Sequence, residues 1–174
     1  MAAALSGQVP VRMEPHPRAD GKMAGQGVGA IVVHRPVSEV WSTLSRFEDK
    51  PEYMPRLKTM EVLEKSPERV RVKVSVDASV TTARYTLIFS LNEPQYVLSW
   101  KLDSTAKDNS IADAVGEYRL FQLDGGQTLV TYKSYVDTGR AVPRMIQDYM
   151  AKRSIPNLLR AIQKRVESGG RWHQ

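Results

Sequence analysis

The sequence predicts an α+β domain, a curved antiparallel sheet of seven strands wrapped around one long C-terminal helix. Three observations lead there. From Lys58 to Val136, apolar and polar residues alternate with a period of two in one segment after another, as half-buried strands do. From Val142 to Ser168 the period becomes helical, with Ile155, Leu158, Leu159, Ile162 and Val166 in one apolar arc. An antiparallel sheet with one wet face needs an apolar cover on the other, and this helix supplies one.

Taken in order, the chain opens with Pro10, Pro15, Pro17 and Gly21. These read residues 1–24 as a flexible N-terminal arm and leave residues 25–170 as a single domain. Gly27–His34 is the first strand. Pro36 starts a helix at a position where its missing N–H is not needed. Val37, Val40, Trp41, Leu44 and Phe47 follow at helical spacing, with Glu39 in the first turn near the positive end of the dipole. A short turn spans Glu52–Pro55.

Strand two carries Met60 and Val62. In strand three Val70, Val72, Val74 and Val76 oppose Arg69, Arg71, Lys73 and Ser75. After a turn at Asp77–Val80, Ala83, Tyr85, Leu87, Phe89 and Leu91 share a face of strand four. Strand five carries Tyr96, Leu98, Trp100 and Leu102. A polar loop, Asp103–Asp113, leads to strand six, Val115–Leu123. Asp124-Gly-Gly126 signals a hairpin. Strand seven sets Val130, Tyr132, Ser134 and Val136 on one face. In the last helix, Pro156 predicts a break or kink with Ser154 capping the second segment; a bowed lid and a plain joint between two helices both fit.

A chain of 174 residues without cysteine has no disulfide, thiolate nucleophile or cysteine-bound metal. A domain of this size buries about 70% of its unfolded surface and needs no staple. The compartment stays open between the cytosol, which is the preferred reading, and an exported mature form. The N-terminus has neither the basic start nor the continuous apolar core of a signal peptide, and no apolar run is long enough to span a membrane. The net charge is +6, and all of the excess lies in residues 139–174, where eight Lys/Arg face Asp148 and Glu167. Lys152, Arg153, Arg160, Lys164 and Arg165 fall outside the apolar arc. A solvated helix face accounts for them, and contact with an anionic membrane is the sharper reading. No aromatic-basic interleaving accompanies the charge, which argues against nucleic acid.

The order strand, short helices, strands, long helix is the helix-grip arrangement. Pro36-Val-Ser-Glu-Val-Trp41, Leu44-Ser45 and Tyr53-Met-Pro55 resemble the opening of the polyketide cyclase/dehydrase and lipid-transport group of the SRPBCC superfamily, which also holds START domains, Bet v 1-like proteins and coenzyme Q-binding proteins. Trp100, Gly116-Glu-Tyr118-Arg-Leu, Asp124-Gly-Gly-Gln-Thr-Leu-Val-Thr-Tyr132, Val142-Pro143 and Ile155-Pro-Asn-Leu-Leu159 continue the resemblance across roughly Val28 to Ser168. Tyr118 departs from it, standing where these proteins often have tryptophan. The resemblance implies a deep cavity between sheet and C-terminal helix, occupied by a lipid, sterol, quinone or polyketide. The fold hosts carriers, cyclases and regulators alike, so it selects no single activity.

The candidate pocket residues are Tyr85, Phe89, Trp100, Tyr118 and Tyr132 on the strands, with Met145 and Tyr149 on the helix; Ile146 and Met150 would stand beside them. Ordinary core packing explains the same residues. Arg84, Glu117 and Arg119 are candidates for an inward charge, although strand alternation favours the wet face. His16, His34 and His173 lie too far apart in the fold to converge on a metal or a serine. There is no phosphate loop, and no catalytic set, metal or cofactor is expected. Burying ten methylenes yields roughly 8 kcal/mol, against an association cost of about 4–15 kcal/mol. The reading is a carrier of a hydrophobic small molecule. A polyketide-type cyclase or dehydratase in the same cavity is the alternative, and an interaction module using the C-terminal helix is a third reading.

Overall fold

A computed structural model describes residues 7–78, 81–139 and 144–174, with side chains described outside 144–151. The chain runs β1 (Val11–Pro17), β2 (Met23–Val33), α1 (Val37–Leu44), α2 (Lys50–Tyr53), β3 (Leu57–Lys65), β4 (Arg69–Asp77), β5 (Thr82–Asn92), β6 (Val97–Leu102), β7 (Asp113–Leu123), β8 (Gln127–Asp137) and α3 (Arg144–Glu167). All strand pairs are antiparallel, in the order β1-β2-β8-β7-β6-β5-β4-β3.

Alternation decides the faces. Val70, Val72 and Val74 are buried on β4 while Arg69 is exposed and Arg71 and Lys73 only half-buried. On β7, Ala114, Gly116, Tyr118 and Leu120 point to the core and Arg119 and Phe121 to solvent. The helical stripe of α1 buries Val37, Val40, Trp41 and Leu44. Asp124-Gly-Gly126 closes the β7–β8 hairpin with both glycines at φ 71°, a backbone that a side chain disfavours.

Four features differ from the sequence expectation. The sheet has eight strands rather than seven, because the segment expected as an arm contributes β1. It pairs with β2 from Val11↔Gly29 to Pro17↔Met23. Prolines are tolerated there because β1 is an edge strand, where an absent N–H on the outer side breaks no ladder bond. The last helix runs through Pro156 without ending. Its flanking residues Ile155 and Leu159 are buried in the core, and that packing offsets the lost backbone hydrogen bond. On β8, Val136 is 49% exposed while its neighbour Tyr135, expected on the other face, is buried. The reason is β1, whose His16 ring covers Tyr135 at 4.3 Å. Finally, Arg165 is buried rather than on the wet face. Its guanidinium donates to Glu52 Oε2 at 2.6 Å and to the Trp172 carbonyl at 2.9 Å, so the charge is paired.

The last helix rests on β2. Ile155, Leu159, Ile162 and Val166 are buried against the sheet. At Gly29 of β2 a Cβ would come within 2.6 Å of Ile155 Cγ2 and 3.1 Å of Leu159 Cδ1, so only glycine lets the helix sit this low. The far end is locked by polar contacts. Gln163 Nε2 donates to the Val32 carbonyl at 2.8 Å. Glu167 Oε1 accepts from the His34 backbone N–H at 2.9 Å, and the His34 ring lies against the same oxygen. Gln174 N–H then donates to the Glu52 carbonyl at 3.1 Å, tying the chain end to α2.

Substituting Gly29→Ala is expected to destabilise the fold by about 1–3 kcal/mol in urea denaturation. In the double variant Gly29→Ala/Ile155→Ala the two costs add to less than their sum, because the second change removes the atom struck by the first.

Candidate functional site

Near the middle of α3 a cleft of about 230 Å³ opens between the helix and the α2–β3 joint. The helix contributes Arg153, Ser154, Ile155, Asn157 and Leu158. The joint contributes Pro55 and Arg56, and Tyr132 of β8 closes the bottom. Arg56 stands in the left-handed region at φ 67°. Its carbonyl is fixed there by the Asp77 N–H at 2.8 Å, which turns the chain sharply from α2 into β3 and shapes the rim. The rim is cationic and polar, whereas Ile155 and Leu158 make the wall beneath it apolar.

The bottom of the cleft is one end of a continuous aromatic row. The Tyr132 and Tyr118 rings lie 5.1 Å apart, Tyr118 and Trp100 5.2 Å, Trp100 and Phe89 5.7 Å, and Phe89 and Phe47 4.8 Å. The sheet register builds the row, since Phe89↔Trp100 and Tyr118↔Tyr132 are directly paired across neighbouring strands. Trp100 lies over Gly116, where a Cβ would run into the indole and also reach 2.5 Å from the Lys133 carbonyl oxygen. Burial pushes the phenols of Tyr118 and Tyr132 up, so both are neutral hydrogen-bonding groups near neutral pH. Tyr85, half-buried on the same face of β5, is pushed up to about 12 by burial.

Phe89, Trp100 and Tyr118 of the seven candidate residues are thus buried side by side, Tyr132 opens to the cleft, and Tyr85 stands half-buried on the core side. Met145 and Tyr149 lie on the first turns of α3, and their side chains, like those of Ile146 and Met150, are outside the described residues. The inward-charge candidates do not meet in the core. Arg119 pairs with Glu117 at 2.8 Å on the outer face, and Arg84 is exposed. Asp103 is buried instead, capped by the Thr105 hydroxyl at 2.6 Å and by Arg71 at 2.7 Å, which hold its carboxyl down to about 2. The histidines stand apart, on Tyr135, on Glu167 and beside Glu52.

The cleft rim and two residues of α2 are additions to the sequence reading. Lys50 is 1% exposed and Tyr53 0%, and among the described residues neither the Lys50 amine nor the Tyr53 hydroxyl has a hydrogen-bond partner. Lys50 Nζ lies 5.3 Å from the Phe47 ring, and desolvation lowers its pKa to about 7. The signal was present: the apolar stripe Leu44, Phe47 continues at the same spacing through Lys50 and Tyr53. A larger hollow of about 390 Å³ lies between α1 and the β3–β4 turn. Its rim is mostly serine, lysine and glutamate, and the aromatic row does not reach it.

A helix held against the concave, aromatic face of an antiparallel sheet defines the START-like helix-grip class. Residues 27–167 match the family described as polyketide cyclase / dehydrase and lipid transport, and the chain belongs to it. Solved structures share the fold. The Zhui aromatase/cyclase from Streptomyces sp. R1128 is 20% identical, with a TM-score of 0.68 over 93% of this chain and 97% of that one. The STAR-related lipid transfer protein from Xanthomonas axonopodis is 15% identical, with 0.73 over 91% and 93%. Human StAR-related lipid transfer protein 5 is 11% identical, with 0.71 over 91% and 83%. No curated protein matches the chain by sequence. Among the described residues, no helix is long and apolar enough to cross a membrane.

Replacing Lys50→Met is expected to stabilise the protein. The folded pKa near 7 lies below lysine's ordinary 10.5, so between the two the unfolded chain binds the extra proton. The penalty is therefore full below about pH 7 and fades as pH rises toward 10.5. The gain over the unaltered protein should reach about 2–4 kcal/mol at pH 6 and shrink steadily by pH 9.5 in paired denaturation curves.

Proposed function

We propose that this protein binds and carries a hydrophobic small molecule of the lipid, quinone, sterol or polyketide kind, held between α3 and the sheet. The observation that supports this most is the continuity of the cleft with the aromatic row at Tyr132. An apolar ligand entering beneath Leu158 would meet one aromatic ring after another. In this reading Tyr85, Phe89, Trp100, Tyr118 and Tyr132 are the sheet-side contacts. The solved structures that share the fold include a lipid transfer protein and an aromatase/cyclase, and the family is described as polyketide cyclase / dehydrase and lipid transport, which supports the same class.

Cyclisation or dehydration of a polyketide in the same space is the second reading. The closely spaced phenols of Tyr118 and Tyr132 favour it, because two neutral donors can bind a developing enolate oxygen. The placement of Glu117 and Arg119 on the outer face counts against it, since it takes away the carboxylate and guanidinium that the sequence offered as inward-facing acid–base groups. Exposed Lys152, Arg153, Arg160 and Lys164 would bring the cleft to an anionic membrane, where a carried lipid is exchanged.

Native mass spectrometry of the freshly purified protein, followed by extraction, is expected to release an apolar molecule. Lipids, quinones, sterols and polyketides added in turn should raise the melting temperature for at least one class. Leu158→Trp, which fills the cleft at a half-buried position, is expected to weaken that binding at least tenfold while the fold survives. No stabilisation by any class would remove the proposal.

A further inference from the structure

Among the described residues three buried side-chain donors have no hydrogen-bond partner: Arg18 Nε near the sheet edge, and the Lys50 amine and Tyr53 hydroxyl, both on α2, the short helix whose C-terminal continuation, Pro55–Arg56, forms part of the cleft rim. The two on α2 lie by the aromatic row. Tyr53 is fully buried in the same core cluster as Phe47, Phe89, Trp100 and Tyr118. Lys50 stands further in, over Phe47 at the inner end of the row. The two residues are three apart and share one face of the helix. A ligand reaching inward from Tyr132 along the rings would come to the part of the core that holds Tyr53 and Lys50.

A buried hydroxyl without a partner lowers stability, and native structures keep few of them. The α1 stripe shows that apolar residues fit this spacing, with Leu44 and Phe47 both fully buried. Nothing in the packing therefore requires a phenol at 53 or an amine at 50. Burial pushes the Tyr53 phenol up, so it remains a donor across the physiological range. Arg165, at 5.4 Å over its ring, is engaged with Glu52 and Trp172 and leaves the hydroxyl open.

We infer that Tyr53, backed by Lys50, is an inner polar subsite that receives a carbonyl oxygen of the bound molecule. This rests on the pocket proposed above and narrows it to ligands that carry oxygen at the inner end, ketones, quinones or polyketides, rather than plain hydrocarbon tails. A neutral carbonyl suits the site better than a carboxylate. It accepts from both donors without bringing a second full charge into a desolvated core.

The test uses the full chain, a fluorescent apolar dye in the pocket, and two probes of nearly equal shape, 2-acetylnaphthalene and 2-isopropenylnaphthalene. The unaltered protein should prefer the ketone about tenfold in dye displacement. Tyr53→Phe should reduce that preference to near unity, leave the affinity for the hydrocarbon unchanged, and not lower the unfolding midpoint. Lys50→Met should reduce the preference in part and raise the midpoint. A structural tyrosine would behave differently: its loss would lower the midpoint and leave the preference intact, which overturns the inference. Equal binding of both probes to the unaltered protein overturns it as well, without touching the pocket, and that arm holds even if Tyr53→Phe fails to fold. Displacement by neither probe removes the pocket and the subsite together.

Discussion

Everything in this molecule depends on how closely α3 approaches β2, and that distance is set where a side chain is missing. Gly29 leaves space that Ile155 and Leu159 fill. Ile155 also lines the cleft, and Leu158 stands beside it on the rim side. The residue that seats the helix therefore also shapes the opening, so cleft width and helix packing cannot vary independently. A second close approach, Trp100 over Gly116, works in the same way inside the sheet. It lays a large ring flat along the concave face and brings Phe89, Tyr118 and Tyr132 into contact with it.

The two ends of α3 have different jobs. Its C-terminal part is fastened by Gln163 to Val32, Glu167 to His34 and Arg165 to Glu52 and Trp172. Several of these bonds are charge-assisted, and Arg165 is nearly fully buried, so its pairing is strong and its loss would strand a charge. The chain end adds Gln174 against the backbone of α2 and Pro51–Met54. The same bonds that fix the helix thus also fix α2, which leads directly into the rim at Pro55–Arg56 and carries Lys50 and Tyr53. The cleft is built on a stiff frame even though it is bordered by a loop.

Much of this could be read in the sequence because the relevant patterns were periodic. Val70, Val72 and Val74 announced a strand and its face, and Ile155 through Val166 announced the covering stripe. The aromatic row was legible as a set, since Phe89, Trp100, Tyr118 and Tyr132 each fell on the apolar face. Their mutual contacts were not, because cross-strand register depends on pairing rather than on any one strand. β1 escaped because its prolines mimic a linker and are harmless only at an edge. Arg165 and Lys50 escaped because charge predicts exposure; Arg165 is buried through a partner that comes from distant sequence, and Lys50 is buried with none. The rim at Pro55–Arg56 comes from a turn held by Asp77, and no period marks it.

The departures from local consistency gather in one place. Across most of the core, propensity, pattern and hydrogen bonding agree, as a well-specified fold requires. At α2 they do not. Two polar groups occupy positions in an apolar stripe, each at a cost in stability, and both sit beside the aromatic row. A ligand oxygen would satisfy donors that the protein alone leaves open, so its binding would add more stability than its apolar area supplies. That asymmetry separates a pocket for oxygenated rings from a core that merely tolerates a misplaced lysine. In the first case the ketone restores what α2 lacks; in the second, Lys50 and Tyr53 weaken the fold whatever is bound.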